Sequence, residues 1–230
     1  MATQPIHTRL ITAAAREVLQ PLGLVQSGLS RVWIDDHAWW LIGVSFEPSS
    51  FTKGTYLSVS VTWLWTQEHG FDSHCGGRIH RRRGLLGRGA QEFVKYQSEE
   101  QFAPEAHRLA VLAAHHVVRY RALFPNLARV PSGLLRQRKG DPHGYAYHIA
   151  VACGPVGQGD AAREYFDRAL IEKPTQVWHQ ENNDLIGRLC DLLHDRRAYH
   201  AEIQRLVTAR RLELKLDPNR AADLPAHMSW

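Results

Sequence analysis

Two groups of side chains in this 230-residue chain are candidates for catalysis or metal binding. Asp72, His74, Cys75 and His80 are donors of the types that hold zinc. Their spacing matches neither a paired CxxC nor an HExxH pattern, so a polar loop is expected there and no metal is assigned. His107, His115 and His116, with His143 and His148 further on, form a histidine series. His107 and His115 stand about two helical turns apart and share a face, whereas His115 and His116 do not. A general base among them needs an orienting carboxylate, for which Glu105 and Asp141 are the candidates. The nucleophile is missing: there is no GxSxG, Cys153 sits in an apolar run, and Cys190 follows Leu189 as buried, inert thiols do. No residue is assigned as catalytic and no cofactor is expected.

Two groups are candidates for binding instead. Arg81, Arg82 and Arg83 follow Arg78-Ile79-His80, with Arg88 beyond and Arg136, Arg138 and Lys139 as an extension. Clustered arginines neutralise phosphates, which makes binding steeply salt-dependent. No recognised nucleic-acid module surrounds them, so a solvated charge run is the plainer reading. Glu47, Ser49, Ser50, Lys53 and Tyr56 gather at one end of a strand pair. Such a corner either presents a binding site or satisfies its own turn amides. The glycine-rich 154–159 stretch precedes a helix, but it follows another helix and lacks a P-loop lysine. It reads as an interhelical turn.

The elements that position these groups follow from periodicity. Ala38–Phe46 and Thr55–Thr66 alternate with period two. Trp40, Ile42, Val44 and Phe46 share one face of the first run, and Leu57, Val59, Val61, Trp63 and Trp65 one face of the second. With the β-prone Ser30–Ile34 they make a three-stranded antiparallel meander. Its indoles, Trp33, Trp40, Trp63 and Trp65, are expected to be interior. Ile6, Leu10, Ala13, Ala14, Val18 and Leu19 mark a helix ending near Pro21-Leu22-Gly23. Glu68–Ala90 reads as a long loop, Gln91–Gln97 as a returning fourth strand, and Ser98-Glu99-Glu100-Gln101 as a capping box opening a helix to Phe124. Helices are expected over Tyr145–Cys153, Asp160–Ile171 with Asp160 as cap, Asn182–His194 and Arg196–Leu214.

The fold class is therefore α+β: an antiparallel β-meander packed against helices, followed by an all-helical C-terminal region. The expected division is an α+β domain at 1–130, a hinge at 131–144, a helical region at 145–216 and a tail at 217–230. Hydrophobic content of 44% is ordinary for a globular chain, and the formal net charge is +5 with fourteen histidines. Three scattered cysteines do not make a disulfide framework, and no apolar run reaches membrane-spanning length. A cytoplasmic protein with no membrane partner is expected.

Trp39-Trp40-Leu41-Ile42-Gly43-Val44-Ser45-Phe46-Glu47-Pro48-Ser49-Ser50, then Lys53-Gly54-Thr55-Tyr56-Leu57 and Trp63-Leu64-Trp65, resemble uncharacterised bacterial proteins near the domain of unknown function 4304 group. Ser98–Phe102 and Ala122–Pro125 extend the likeness, and Ser58 departs from it where Asn is expected. The resemblance implies no activity. Gly159–Leu170 resembles the second helix of a single tetratricopeptide unit. The leading expectation is a non-catalytic interaction module that meets a protein partner through the Glu47–Tyr56 loop or the helical hairpin. The alternatives are a basic nucleic-acid-associated protein, of the kind found in bacterial defence or toxin–immunity systems, and a metal- or histidine-dependent hydrolase.

Overall fold

A computed structural model describes residues 4–67, 73–83, 87–137 and 142–223, with backbone alone for 81–83, 87–90, 142 and 221–223. Eight strands and seven helices are present among these residues. Helix α1 spans Ile6–Leu19 and buries Thr8, Ile11, Ala14, Ala15 and Leu19. This stripe lies one residue from the expected one, and Ala13 faces solvent. Both phases have helical spacing, and the phase that buries Ile11 and Leu19 is the one adopted.

Strands β1 (Val25–Gln26), β2 (Val32–Asp36), β3 (Trp40–Pro48), β4 (Gly54–Trp63) and β5 (Cys75–Arg78) lie in that order in one sheet. Antiparallel pairing sets Val32 opposite Ser45 and Asp36 opposite Leu41. Along β4, Leu57, Val59, Val61 and Trp63 are fully buried, as alternation requires of the core face. The strand stops at Trp63 rather than Thr66, and Leu64 and Trp65 turn the chain. The expected fourth strand is β8 (Phe93–Lys95), antiparallel to the start of β4.

Residues 75–91 depart from the expected loop: besides β5 they form β6 (His80–Arg83) and β7 (Gly87–Gln91). Cys75-Gly76-Gly77-Arg78 has poor β propensity, and ladder hydrogen bonds need no side chains. Gly76, at φ +95°, is required by close approach, since a Cβ there would meet the Tyr120 hydroxyl at 2.4 Å and the Val59 carbonyl at 2.5 Å.

Contacts resolve the described chain into two compact units. One comprises residues up to His37, Leu41–Thr62 and Gly76–Tyr120. It holds α1, most of the sheet and the greater part of α2 (Glu99–Leu123). Buried Phe102, Ala106, Leu109, Ala110, Ala113 and Val117 form the inner stripe of α2. At its start the Ser98 hydroxyl accepts the Gln101 amide at 3.3 Å, while the Gln101 side chain accepts from Gln97 N–H rather than from Ser98.

The other unit comprises Ala38–Trp40, Trp63–Cys75 and Arg121 onward. Its helices are α3 (Val130–Gln137), α4 (Pro142–Cys153), α5 (Gly159–Ala169), α6 (Val177–Leu192) and α7 (Arg196–Glu213). The stretch of changed composition at 131–144 thus carries α3 as far as Gln137 and the start of α4 from Pro142. Gln158, not Asp160, stands at the N-cap of α5, and Asp160 lies in the first turn. Asp195 caps α7, accepting the amides of Arg197 and Ala198 at 3.0 Å each. Pro218–Asp223 forms a short 3₁₀ helix, and the rest of the expected tail lies outside the described residues. No described helix is long and apolar enough to cross a membrane.

Candidate functional site

In the first unit, β3 and β4 are joined by residues 49–53, and a second turn, 27–31, joins β1 to β2. The Arg31 carbonyl accepts the Phe46 amide at 3.1 Å, which brings the second turn to the same end of the sheet as the first. Both turns are internally tied. The Ser49 hydroxyl accepts the Phe51 amide at 3.2 Å. The Ser30 hydroxyl donates to the Ser27 carbonyl at 2.6 Å, and the Gln26 side-chain amide donates to the Ser30 carbonyl at 2.7 Å. On these pinned turns Phe51 is 98% exposed and Leu29 88% exposed. Pro48, Ser50 and Lys53 are also exposed.

Behind them the sheet carries a polar lock. The Glu47 carboxylate receives Arg78 at 2.8 Å, and its other oxygen accepts the Ser58 hydroxyl at 2.5 Å. The Arg78 guanidinium lies 4.5 Å above the Tyr56 ring and donates to the Gln91 side-chain oxygen at 3.0 Å. Glu47 and Tyr56 are thus engaged within the fold, and Ser49 is spent on its own turn. Ser50 and Lys53 remain at the surface. Of the candidate residues read from the sequence, Glu47 and Tyr56 are brought together by Arg78, and Phe51 and Leu29 were passed over. Isolated apolar residues in turns carry no periodic signal, and only their exposure singles them out. Beside the corner, His7 Nε2 accepts from the Arg31 guanidinium at 3.3 Å. Burial, then the charges of Arg31 and Lys53, lower its pKa.

Arg81, Arg82 and Arg83 lie on β6, with Arg82 directly opposite Arg88 and Arg83 opposite Gly87. Arg138, Lys139, Asp72 and Asp141 lie outside the described residues.

The catalytic candidates are dispersed or occupied. Glu105 is bound to Arg108 at 2.9 Å, and the same guanidinium holds the buried Glu92 at 2.5 Å. His107 lies 3.8 Å from Glu17 on the surface. His116 is half-buried, its pKa lowered by burial and by Arg119 and His115. In the second unit, His148 is fully enclosed and its Nδ1 accepts the Trp65 indole N–H at 3.1 Å. His74 Nδ1 accepts the Trp63 amide at 2.8 Å, and the two imidazoles lie 4.5 Å apart. Burial and the neighbouring His74 hold the His148 pKa well below the ordinary imidazole value.

The indoles of Trp39, Trp63 and Trp65 stack nearly parallel around this pair, with Phe124 edge-on to Trp63. Trp33, Trp40, Trp63 and Trp65 are all at most 3% exposed, so the tryptophans are interior. Burial also pushes the Cys153 thiol up to about 11, leaving it protonated and unreactive. His143 lines an open cavity of about 700 Å³ with Asp167, Arg168, Leu170, Ile171, Glu172 and Asn183, a lining without a hydroxyl or thiol nucleophile among the described residues. Among the described residues no three His, Cys, Asp or Glu side chains gather in a group able to hold a metal ion.

No family model, curated protein or solved structure matches this chain.

Proposed function

We propose that this protein is a non-catalytic interaction module that recognises a protein partner with the sheet end bearing Phe51, Leu29 and Lys53. The observation that carries this reading is the pair of large apolar side chains, 98% and 88% exposed, held out on neighbouring turns. Scattered single apolar residues are ordinary on a surface. Two of them on pinned backbone, beside an exposed lysine, have the make-up of a docking anchor: desolvation supplies the affinity and the cation supplies orientation. Because the Glu47–Arg78–Tyr56 lock fixes the strands behind the loop, little ordering entropy is lost on binding.

The test is affinity capture from the source cells with the full chain, the Phe51→Asp/Leu29→Asp double variant and Lys53→Glu. A single stoichiometric partner is expected for the unaltered protein. Its retention should fall at least about tenfold with the double variant, while unfolding free energy stays within about 0.5 kcal/mol, as for exposed positions. A partner retained equally by the double variant rejects the reading.

A further inference from the structure

The chain's excess charge is confined to one short piece. Residues 73–91 contain Arg78, Arg81, Arg82, Arg83 and Arg88 and no acidic residue, which leaves 23 basic against 23 acidic residues elsewhere. The formal +5 of the whole protein is the charge of this stretch. Within it, β6 and β7 pair as a two-stranded antiparallel ribbon, a sheet of its own beside the main one. The ribbon is anchored at its root. Ile79 N–H donates to the Leu57 carbonyl at 2.8 Å, and Glu92 N–H donates to the Ile79 carbonyl at 2.7 Å. Arg78 is fixed there by Glu47 and Gln91. Glu92, the first acid after the ribbon, is 3% exposed and bound by Arg108, so it does not offset the ribbon's charge at the surface.

We propose that the β6–β7 ribbon is an arm that docks duplex DNA through its phosphates. The register sets Arg82 directly opposite Arg88, a like-charge pairing that weakens an isolated ribbon and that a polyanion relieves. Two strands about 4.8 Å apart fit the roughly 12 Å major groove of B-form DNA. The narrow major groove of A-form RNA does not admit such an arm. The register shift between His80 and Arg82 adds twist, as a groove-following ribbon requires. Phosphate contact alone gives binding without sequence preference.

The test uses the full chain and a labelled mixed-sequence duplex of about 20 bp, titrated by fluorescence anisotropy between about 50 and 200 mM salt. With three or four phosphates engaged, affinity should fall on the order of 100-fold over that range. Arg82→Ala/Arg88→Ala should lower the log–log salt slope by about 2 and weaken binding at the lowest salt by at least about tenfold. The charge-matched control, Arg163→Ala/Lys173→Ala at exposed positions on or after α5, should keep the original slope and affinity. Equal thermal midpoints for the two double variants show that the fold is retained. If the ribbon variant keeps the original slope, or both variants lose it equally, the proposal fails. It also fails if single-stranded DNA, duplex RNA or phosphatidylserine-containing vesicles bind as tightly as the duplex. Phe51 and Leu29 lie outside the ribbon, so the docking corner and the arm stand or fall separately.

Discussion

Arg211 has no solvent exposure, and its side chain bonds to two backbone carbonyls. Nε donates to Asp217 at 2.6 Å and Nη1 to Ala38 at 2.5 Å, while its own carbonyl accepts the Leu216 amide. A planar guanidinium serves both acceptors at once, which a lysine ammonium on a flexible stem does poorly. Arg211→Ala should therefore cost about 3–5 kcal/mol, since the buried Ala38 carbonyl loses its donor and a cavity opens. Arg211→Lys should recover only part of it, as read from urea unfolding midpoints. Equal midpoints for the original protein and Arg211→Ala would show that the guanidinium is dispensable. Sequence alone marks Arg211 as one more arginine on a basic helix end. Its partner Ala38 is 173 residues away, beyond any local pattern. Glu47 was singled out by its place in the corner, but its ion-pair partner Arg78 lies 31 positions on, in a stretch with no periodic signal.

Elements defined by strong periodicity fell close to expectation: α1, β3, β4, α2 and α7 all lie within a few residues of their expected bounds. Those defined by backbone pairing alone did not. Strands β5, β6 and β7 are built from Gly and Arg, whose side chains announce no strand, and β4 supplies the partner for β5. Gly54 shows how tightly the edge is fitted. A Cβ there would sit 2.4 Å from the Val94 carbonyl and 2.6 Å from the Phe93 ring, so β8 can pair with β4 only if residue 54 has no side chain. Gly54→Ala should push β8 away and destabilise by about 1–3 kcal/mol. Hydrogen exchange at Tyr96, whose amide bonds to the Lys53 carbonyl at 2.9 Å, should quicken with it. Unchanged exchange at Tyr96 and unchanged stability would mean that the strand tolerates a methyl group.

For the molecule as a whole, acid should be the sensitive axis. His148, His7 and His116 all have folded pKa values below the ordinary 6.5, for burial in each case and nearby positive or potentially positive charge. As pH falls through the unfolded value, the unfolded chain takes up protons that the folded chain refuses. Stability is thus intact above about pH 6.5 and declines below it, toward each lower folded value, by up to about 1.4 kcal/mol per pH unit for the fully buried His148. Urea unfolding at pH 7.5, 6 and 5 should show this decline, and His148→Gln should flatten it even if the variant is less stable throughout. Parallel profiles for the two proteins would remove His148 as a source. The sequence by itself determined the α+β class, the interior placement of Trp33, Trp40, Trp63 and Trp65, and the position of the strong helices. These follow from local spacing of apolar groups, and burial of such groups is non-directional and repeats with the backbone period. Only the tertiary structure decided that the arginine run is a paired ribbon, that Glu47 is locked by Arg78, and that Phe51 and Leu29 stand out at one sheet end. Each of these depends on contacts or exposures set by the path of distant chain segments, which neighbouring residue types do not encode.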